Sequence, residues 1–442
     1  MKSTATQMEE GACPVCETAA NSGAAYFARA FGETRHFAAT GEAIADALGF
    51  CPRHGAALLS QEGLSRGLVR VFRQVIPAVM PLLVVKHIRA EKYQRTFFAA
   101  RTACPTCAHI ERMVARHIAR LARQFPGAPD HLDKLCVTHM QLLAEELKVA
   151  NRMAALAQYV DHLGAAISAM DSGDAPEEAM RLHVLNLVAG RIAPEPNAVE
   201  DEAEALHQCP TFAASIAYAQ ACPLCIERAR ARQRWLQHVP AAPRHAADAW
   251  LFFPTCPEHI GAVARLGYPE LTGAVATHAL HLVRRQLQQR LLILMREAEL
   301  RAVAAAARAA QRYKYAKSKT PKPPHLQTPK PAAPQPLRCP GCERLGIAEA
   351  HARGKLLDLL EKEKHRIAFA HGYGLCMKHF AEVYMIAPQG VVRSALAEDQ
   401  RVRLAEFARL LDEAATGPAT VGVDVSQAAS WRLELHRFCG FT

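Results

Sequence analysis

Cysteine and histidine pairs recur in one order, four times along a chain of 442 residues. In each repeat a Cys-x2-Cys pair, with proline after its first cysteine, precedes a Cys-x2-His pair by 28 to 34 residues. Three thiolates and one imidazole suit a tetrahedral metal site, and residues three apart can reach one ion from a single turn. The candidate ligands are Cys13, Cys16, Cys51, His54, Cys104, Cys107, Cys136, His139, Cys222, Cys225, Cys256, His259, Cys339, Cys342, Cys376 and His379.

The order of the ligands predicts that each repeat closes its own site, so that Cys13 and Cys16 share an ion with Cys51 and His54. Four copies with similar spacing are a far more specific signal than one Cys-x2-Cys pair. A site with four protein ligands leaves no position for water or substrate, so it is predicted to be structural. The sequence contains no phosphate loop, nucleophile elbow or zincin helix. It therefore favours a non-enzymatic role, unless the ions are redox-active.

Zinc is the predicted ion, because structural sites of this composition usually hold it. An iron–sulfur cluster at each site is the alternative, since histidine can replace a cysteine ligand, and it would make the chain an electron-transfer subunit. Thiol redox chemistry is disfavoured, because a thioredoxin-like pair should follow a strand. Two cysteines outside the repeats, Cys209 and Cys439, are predicted to be unpaired, partly buried thiols.

Helical periodicity dominates the segments between and after the ligand pairs. Apolar residues from Ile110 to Phe125 follow helical spacing until Pro126-Gly127, and a second amphipathic helix is predicted from Leu143 to about Met170. Aromatic residues make up only 6% of the chain. The sequence therefore predicts an all-α protein of four tandem helical modules, each held by one metal site.

The length of the chain predicts several domains. Module three should end in a long helix, because Leu280 to Ala298 carries apolar residues in steps of three and four. The predicted boundaries are a metal-bound module at 8–95, a second at 96–172, an acidic linker with a short helix at 173–205, a third module at 206–311, a lysine- and proline-rich tether at 312–337 and a fourth module at 338–442.

The net charge of +11 is concentrated partly between Arg312 and Arg338. Arginine-rich helices and this basic tether would permit nucleic-acid binding, while extended helical surfaces favour protein partners. The most apolar run, at 75–85, is too short to span a bilayer, and the first residues carry no secretory signal. These features predict a cytoplasmic protein that acts as a multi-zinc scaffold.

The first repeat resembles an uncharacterised bacterial family of helical domains. Its Cys13-Pro14-x-Cys16 motif and its Gly-Phe-Cys-Pro-Arg-His string at 49–54 are similar to the two motifs of that family, over residues 13–60. The other three repeats keep the ligands and depart from the second string. The resemblance implies a bacterial source and a helical, metal-bound fold, and nothing about activity.

Overall fold

A computed structural model describes the chain at 13–61, 64–83, 104–125, 129–172, 183–188, 206, 209–218, 221–239, 254, 256–266, 268–315, 339–416 and 425–439. These residues form helices, turns and no strand, which confirms the all-α prediction. Among them, no helix is both long enough and apolar enough to cross a membrane.

The helices of the first half of the chain are α1 (Pro14–Gly32), α2 (Phe37–Ala47), α3 (Pro52–Leu59), α4 (Ser65–Val79), α5 (Pro105–Gln124), α6 (Val137–Glu146) and α7 (Val149–Ser172). The second half contributes α8 (Phe212–Tyr218), α9 (Pro223–His238), α10 (Pro257–Ala264), α11 (Pro269–Tyr315), α12 (Pro340–Leu360), α13 (Glu363–His371), α14 (Met377–Ile386), α15 (Val391–Thr416) and α16 (Val425–Cys439). Three short 3-10 helices lie at Thr34–His36, Met80–Leu83 and Pro129–Lys134, and residues 183–188 are also helical.

The chain divides into two compact units, each assembled from separated segments. Unit 1 comprises Met1–Glu17, Arg116–Ile192 and Val239–Pro340, and unit 2 comprises Thr18–Ala115, Ala193–His238 and Gly341–Thr442. Neither unit coincides with one of the four predicted linear modules. Contacts between distant segments, and not the order of the repeats, therefore define the compact parts of the protein.

Unit 1 is organised by the packing of α7 along α11. Leu280, Val283 and Leu287 of α11 are buried, as the predicted apolar seam requires. The helix continues to Tyr315, four residues into the predicted tether, and the remaining tether residues lie outside the described ranges. The acidic linker is described only at 183–188, and this stretch is helical, as predicted for that part of the linker.

One predicted helix of unit 1 is two helices. The segment after His139 was expected to be continuous, but α6 ends at Glu146 and α7 starts at Val149. Leu147 is the break, because its backbone is extended with φ −75° and ψ 146°. The neighbouring residues are good helix formers, so local propensity does not explain the break. The side chain of Leu147 is buried at this point.

Unit 2 is built around α4, whose apolar face is buried against α2 and α15. The Phe72 ring lies 5.9 Å from the Phe407 ring and 5.7 Å from the Phe438 ring, which joins α4, α15 and α16 in one aromatic cluster. Burying each such side chain contributes roughly 1.5–3 kcal/mol. This core is the frame on which the ligand-bearing helices of unit 2 rest.

A left-handed turn delivers one ligand pair to its position. Leu48 has φ 55° and Gly49 has φ 103°, and the Gly49 amide donates to the Ile44 carbonyl at 2.8 Å. This geometry is that of a Schellman helix end, with Leu48 in the left-handed position and Gly49 directly after it. A Cβ on Gly49 would lie 2.8 Å from the Phe438 ring, so the position requires glycine for space as well as for conformation. The turn ends α2 and leads directly to Phe50 and Cys51.

Candidate metal centres

All eight ligand pairs begin a helix. The first cysteine of each pair immediately precedes the helix, and the second ligand is the third helical residue. Cys51, Cys136 and Cys376 have extended backbones, with ψ between 155° and 159°. The Cys51 carbonyl accepts the first helical hydrogen bond, from the Gly55 amide at 2.9 Å. The two ligands of a pair therefore converge on one point beside the positive end of a helix, which stabilises thiolates.

The sixteen predicted ligands form four groups of three cysteines and one histidine, and each group could hold a metal ion. Within a group the ligand atoms all lie within 4.8 Å of one another. We name the groups site A (Cys13, Cys16, Cys136, His139), site B (Cys51, His54, Cys104, Cys107), site C (Cys222, Cys225, Cys376, His379) and site D (Cys256, His259, Cys339, Cys342).

The predicted pairing of ligands within each repeat is wrong. Every site combines the Cys-x2-Cys pair of one repeat with the Cys-x2-His pair of its neighbour, so repeats one and two exchange pairs, as do repeats three and four. The two pairs of a site come from distant parts of the chain. Cys16 and Cys136 of site A are 120 residues apart, and Cys225 and Cys376 of site C are 151 residues apart.

Helix length explains the exchange in the first repeat. The α1 helix starts beside Cys13 and has 19 residues, a length of about 28 Å. The returning helix α2 has 11 residues and covers only about 16 Å. The ring of His54 packs against the ring of Phe27, at 6.4 Å between centroids. Phe27 lies about 21 Å along α1 from Cys13, so Cys51 and His54 end far from the start of their own repeat.

The fourth repeat follows the same rule. Its long helix α12 begins beside Cys339 and has 21 residues. His379 of this repeat contacts Glu349, which lies about 15 Å along α12 from Cys339. A ligand pair held there meets the neighbouring repeat's Cys-x2-Cys pair and cannot reach Cys339.

The distances between ligand atoms fit one ion at the centre of a tetrahedron. Metal–ligand bonds of zinc imply edges of roughly 3.8 Å between two sulfurs and roughly 3.5 Å between sulfur and nitrogen. In site A the Cys16 and Cys136 sulfurs are 3.8 Å apart, and the sulfurs of Cys13 and Cys16 are each 3.4 Å from His139 Nδ1. Sites B and C have sulfur–sulfur edges of 3.8 and 4.0 Å.

In site C a carboxylate holds the histidine. His379 Nδ1 faces the sulfurs, 3.3 Å from Cys376, while Nε2 donates to Glu349 Oε1 at 2.7 Å. Arg228 donates in turn to Glu349 Oε2 at 3.3 Å. The hydrogen bond from His379 lowers the pKa of Glu349 to about 2, against the opposing effect of burial. Such an outer carboxylate fixes the ring orientation and raises the basicity of the ligating nitrogen.

No sequence signal marks Glu349, which looks like any acidic residue on an amphipathic helix. Only its burial distinguishes it, because it is 7% exposed. Glu349, His379 and Glu382 also lie close enough to form a possible ligand group. Because Glu349 already accepts from the histidine and Glu382 pairs with Arg353, we interpret this group as the outer shell of site C.

The clustered thiolates make the sites strongly attractive to positive charge. Burial opposes protonation of His54, yet the nearby sulfurs of Cys104 and Cys51 raise its pKa to about 9. The pKa of His139 is likewise raised to about 9 by Cys13 and Cys16. An arriving metal ion would therefore have to displace protons, as thiolate sites generally require.

Two cysteines lie outside the four groups among the described residues. Cys209 and Cys439 are both buried. Cys439 lies against α3: a Cβ added to Gly55 would lie 2.6 Å from the Cβ of Cys439. Burial raises the pKa of the Cys439 thiol to about 12, so this side chain is a packed, protonated thiol beside site B.

The fold and its four ligand groups place the chain among all-α proteins that could bind several metal ions through Cys3His sites. Comparison with protein-family models, curated proteins and solved structures gives no match for the chain.

Proposed function

We propose that the protein is a helical scaffold for protein partners, stabilised by four structural zinc ions at sites A to D. The observation that supports this most directly is the closed set of four protein ligands at each site, with edge lengths suited to a single ion. Such a site leaves no coordination position for a substrate, so its role is to hold the fold.

The short edges favour one ion over an iron–sulfur cluster. The four ligands of a cluster are divided between two or four irons, and ligands on different irons are held apart by the metal–sulfide core between them. All four ligand atoms of each site lie within 4.8 Å of one another, as around a single tetrahedral ion, and this closeness supports one ion per site. Among single ions, zinc combines a preference for thiolate and imidazole with a tetrahedral geometry.

Each ion would act as a cross-link between two segments that are far apart in the chain. Closing a loop of 120 residues, as between Cys16 and Cys136, costs on the order of 4 kcal/mol in chain entropy. A metal site closes that loop without a disulfide and contributes its binding energy to folding. The exchanged pairing would thus fasten two repeats to each other at two points, which is the property expected of a rigid scaffold.

Metal analysis of protein purified without air tests the proposal. Elemental analysis should give four zinc ions per chain and no visible absorbance, whereas iron with acid-labile sulfide would refute it. Replacement of zinc by cadmium-113 tests the pairing. Proton–cadmium couplings should connect Cys13 and Cys136 to the same ion, and a shared ion for Cys13 and Cys51 would contradict the exchange.

A ridge of arginines on α5 favours nucleic-acid binding as a second candidate function. Arg112, Arg116, Arg120 and Arg123 recur every three or four residues and are exposed. Phosphate contacts of this kind make binding fall steeply with salt. Measurable binding of duplex DNA or RNA at low salt, lost when all four arginines are replaced by glutamine, would support this role. No binding at low salt would eliminate it.

A further inference from the structure

A groove of about 580 Å³ lies in unit 2 between α9 and α12. Its lining begins at Glu227 and ends at His238 along α9, and begins at Arg344 and ends at Lys355 along α12. In both helices the lining residues recur with helical spacing over twelve residues. The eleven steps from the first of them to the last correspond to three helical turns, about 17 Å. The groove is therefore about three helical turns long.

The floor of the groove is apolar and its rim is basic. Trp235, Ala231 and Ala352 are buried in the floor, while Ile347 at the edge is 70% exposed. The rim carries the cations of Arg234, Arg344 and Lys355, together with His238 and His351. The acidic member of the lining, Glu227, is paired with Arg230. The rim thus carries more basic than acidic side chains along both sides of an apolar floor.

We propose that this groove binds an acidic amphipathic helix of a partner protein, an inference that rests on the scaffold function proposed above. An amphipathic helix places its apolar residues, spaced by three and four, into a groove between two helices. Glutamates beside that apolar stripe would then meet Arg234, Arg344 and Lys355 on the two sides. A nucleic-acid strand would pair with the cations but leave the apolar floor and Ile347 without a partner.

The groove is tied to site C through its two walls. The α9 helix starts at Cys222 and carries Cys225, and α12 carries Glu349, which accepts from His379. Arg228 of α9 donates to the same carboxylate, which joins the two walls directly. The spacing of α9 and α12 therefore depends on an intact site C, and the groove should lose its shape when that site is emptied.

A fluorescein-labelled synthetic peptide tests the proposal on the full chain with its metal bound. The probe is a 14-residue helix with leucines spaced by three and four and glutamates on both flanks. Fluorescence anisotropy should show saturable binding that weakens with salt. A scrambled peptide and a peptide with lysine in place of glutamate should bind at least 10-fold more weakly. Equal binding of the lysine peptide would overturn the proposed charge complementarity.

Variants of the groove locate the binding. The double variant Arg234→Glu and Arg344→Glu should weaken binding at least 10-fold, and Ile347→Asp should weaken it several-fold. Arg70→Glu changes an exposed arginine of α4 outside the groove and should leave the affinity unchanged. An affinity that is insensitive to the groove variants, or tighter binding of a single-stranded oligonucleotide or an anionic vesicle, would refute the proposal.

Zinc content separates failure of this inference from failure of the proposed function. Each variant should retain four ions by elemental analysis. Loss of peptide binding with four ions present is expected for the groove variants alone. No binding by the unchanged chain carrying four zinc ions would refute the groove proposal and leave the structural zinc sites standing, whereas fewer ions or iron would refute the proposed zinc function itself.

Discussion

Sites B and C lie in the same unit and share their ligand types, yet they differ in burial. All four ligands of site C are buried, while all four ligands of site B are partly exposed. Glu349 orients the histidine of site C, whereas the histidine of site B packs edge-on against Phe27. One sequence pattern therefore produces two environments, and the environment determines how far the fold depends on each ion.

The surroundings of the two sites explain the difference. Site C is enclosed by the unit 2 core, where Met377, next to Cys376, is fully buried and its sulfur accepts from Gln400. Site B is formed at the starts of the short helix α3 and of α5, where water can approach the ligands. We expect site C to be essential for the unit and site B to be more tolerant of change.

Loss of a thiolate should separate the two sites most strongly. In site C, Cys376→Ser leaves a hydroxyl that ligates zinc poorly in a buried site, so the ion should be lost with on the order of 10 kcal/mol of folding energy. That is comparable to the total stability of a typical domain. In site B, Cys107→Ser allows water to complete the tetrahedron. Elemental analysis should find three zinc ions in Cys376→Ser and four in Cys107→Ser, and urea should no longer unfold Cys376→Ser cooperatively. Equal effects of the two variants would contradict the proposed difference between sites B and C.

Removal of metal by a chelator should proceed in an order set by exposure. A chromophoric zinc chelator must approach the ion and displace ligands one by one, which is easier where the ligands are partly exposed. Site B should therefore release its ion before site C. In a time course of zinc release, the phase assigned to site B should become faster in Cys107→Ser and remain unchanged in Glu349→Gln. Simultaneous release of all ions would show that the chain loses metal through global unfolding.

The outer carboxylate of site C offers a milder test. Glu349→Gln keeps the shape of the side chain but removes the charge that holds His379, so zinc affinity at site C should fall about 10–100-fold. Competition with a chelator of known affinity measures this change. Glu382→Gln is the matched control, because Glu382 pairs with Arg353 and leaves the Nε2 hydrogen bond of His379 intact. An equal loss in both variants would assign the effect to general charge instead of to His379.

The smallest effect is expected for the thiol beside site B. Cys439→Ala removes one buried sulfur and should lower the free energy of unfolding by on the order of 1 kcal/mol through lost packing. Zinc content should stay at four, because Cys439 belongs to none of the four groups. Loss of one ion in this variant would show that Cys439 acts as a ligand of site B.

Much of the local structure follows from short-range signals. The Cys-Pro-x-Cys pattern predicted a turn or a helix start, and all four such pairs begin helices. The apolar seam of α11 was predicted from its spacing, and its residues Leu280, Val283, Leu287 and Leu294 are buried. These features depend on residues close in sequence, where proline conformation and helical periodicity dominate. The break at Leu147 was missed, because it depends on packing and not on local propensity.

The exchanged pairing needed information that ligand order does not contain. Each Cys-x2-His pair could share an ion with either of two chemically identical Cys-x2-Cys pairs, the one in its own repeat or the one in the adjacent repeat. Which of the two pairs shares the ion depends on whether the helices of the repeat bring the chain back to the Cys-x2-Cys pair at the start of that repeat. In the first repeat α1 is nearly twice as long as α2, so the chain does not return. The role of Glu349 could not be predicted from the sequence either, because only the folded chain places this residue against His379.

The sequence by itself determined the sixteen candidate ligands, their division into helix-starting pairs and the all-α character of the described chain, because each rests on residue type and on spacing within a few turns. Tertiary structure alone decided which pairs share a site, which site is buried and which carboxylate supports a ligand. Those outcomes depend on the relative lengths and directions of helices far apart in the chain, and on the core that forms when they pack.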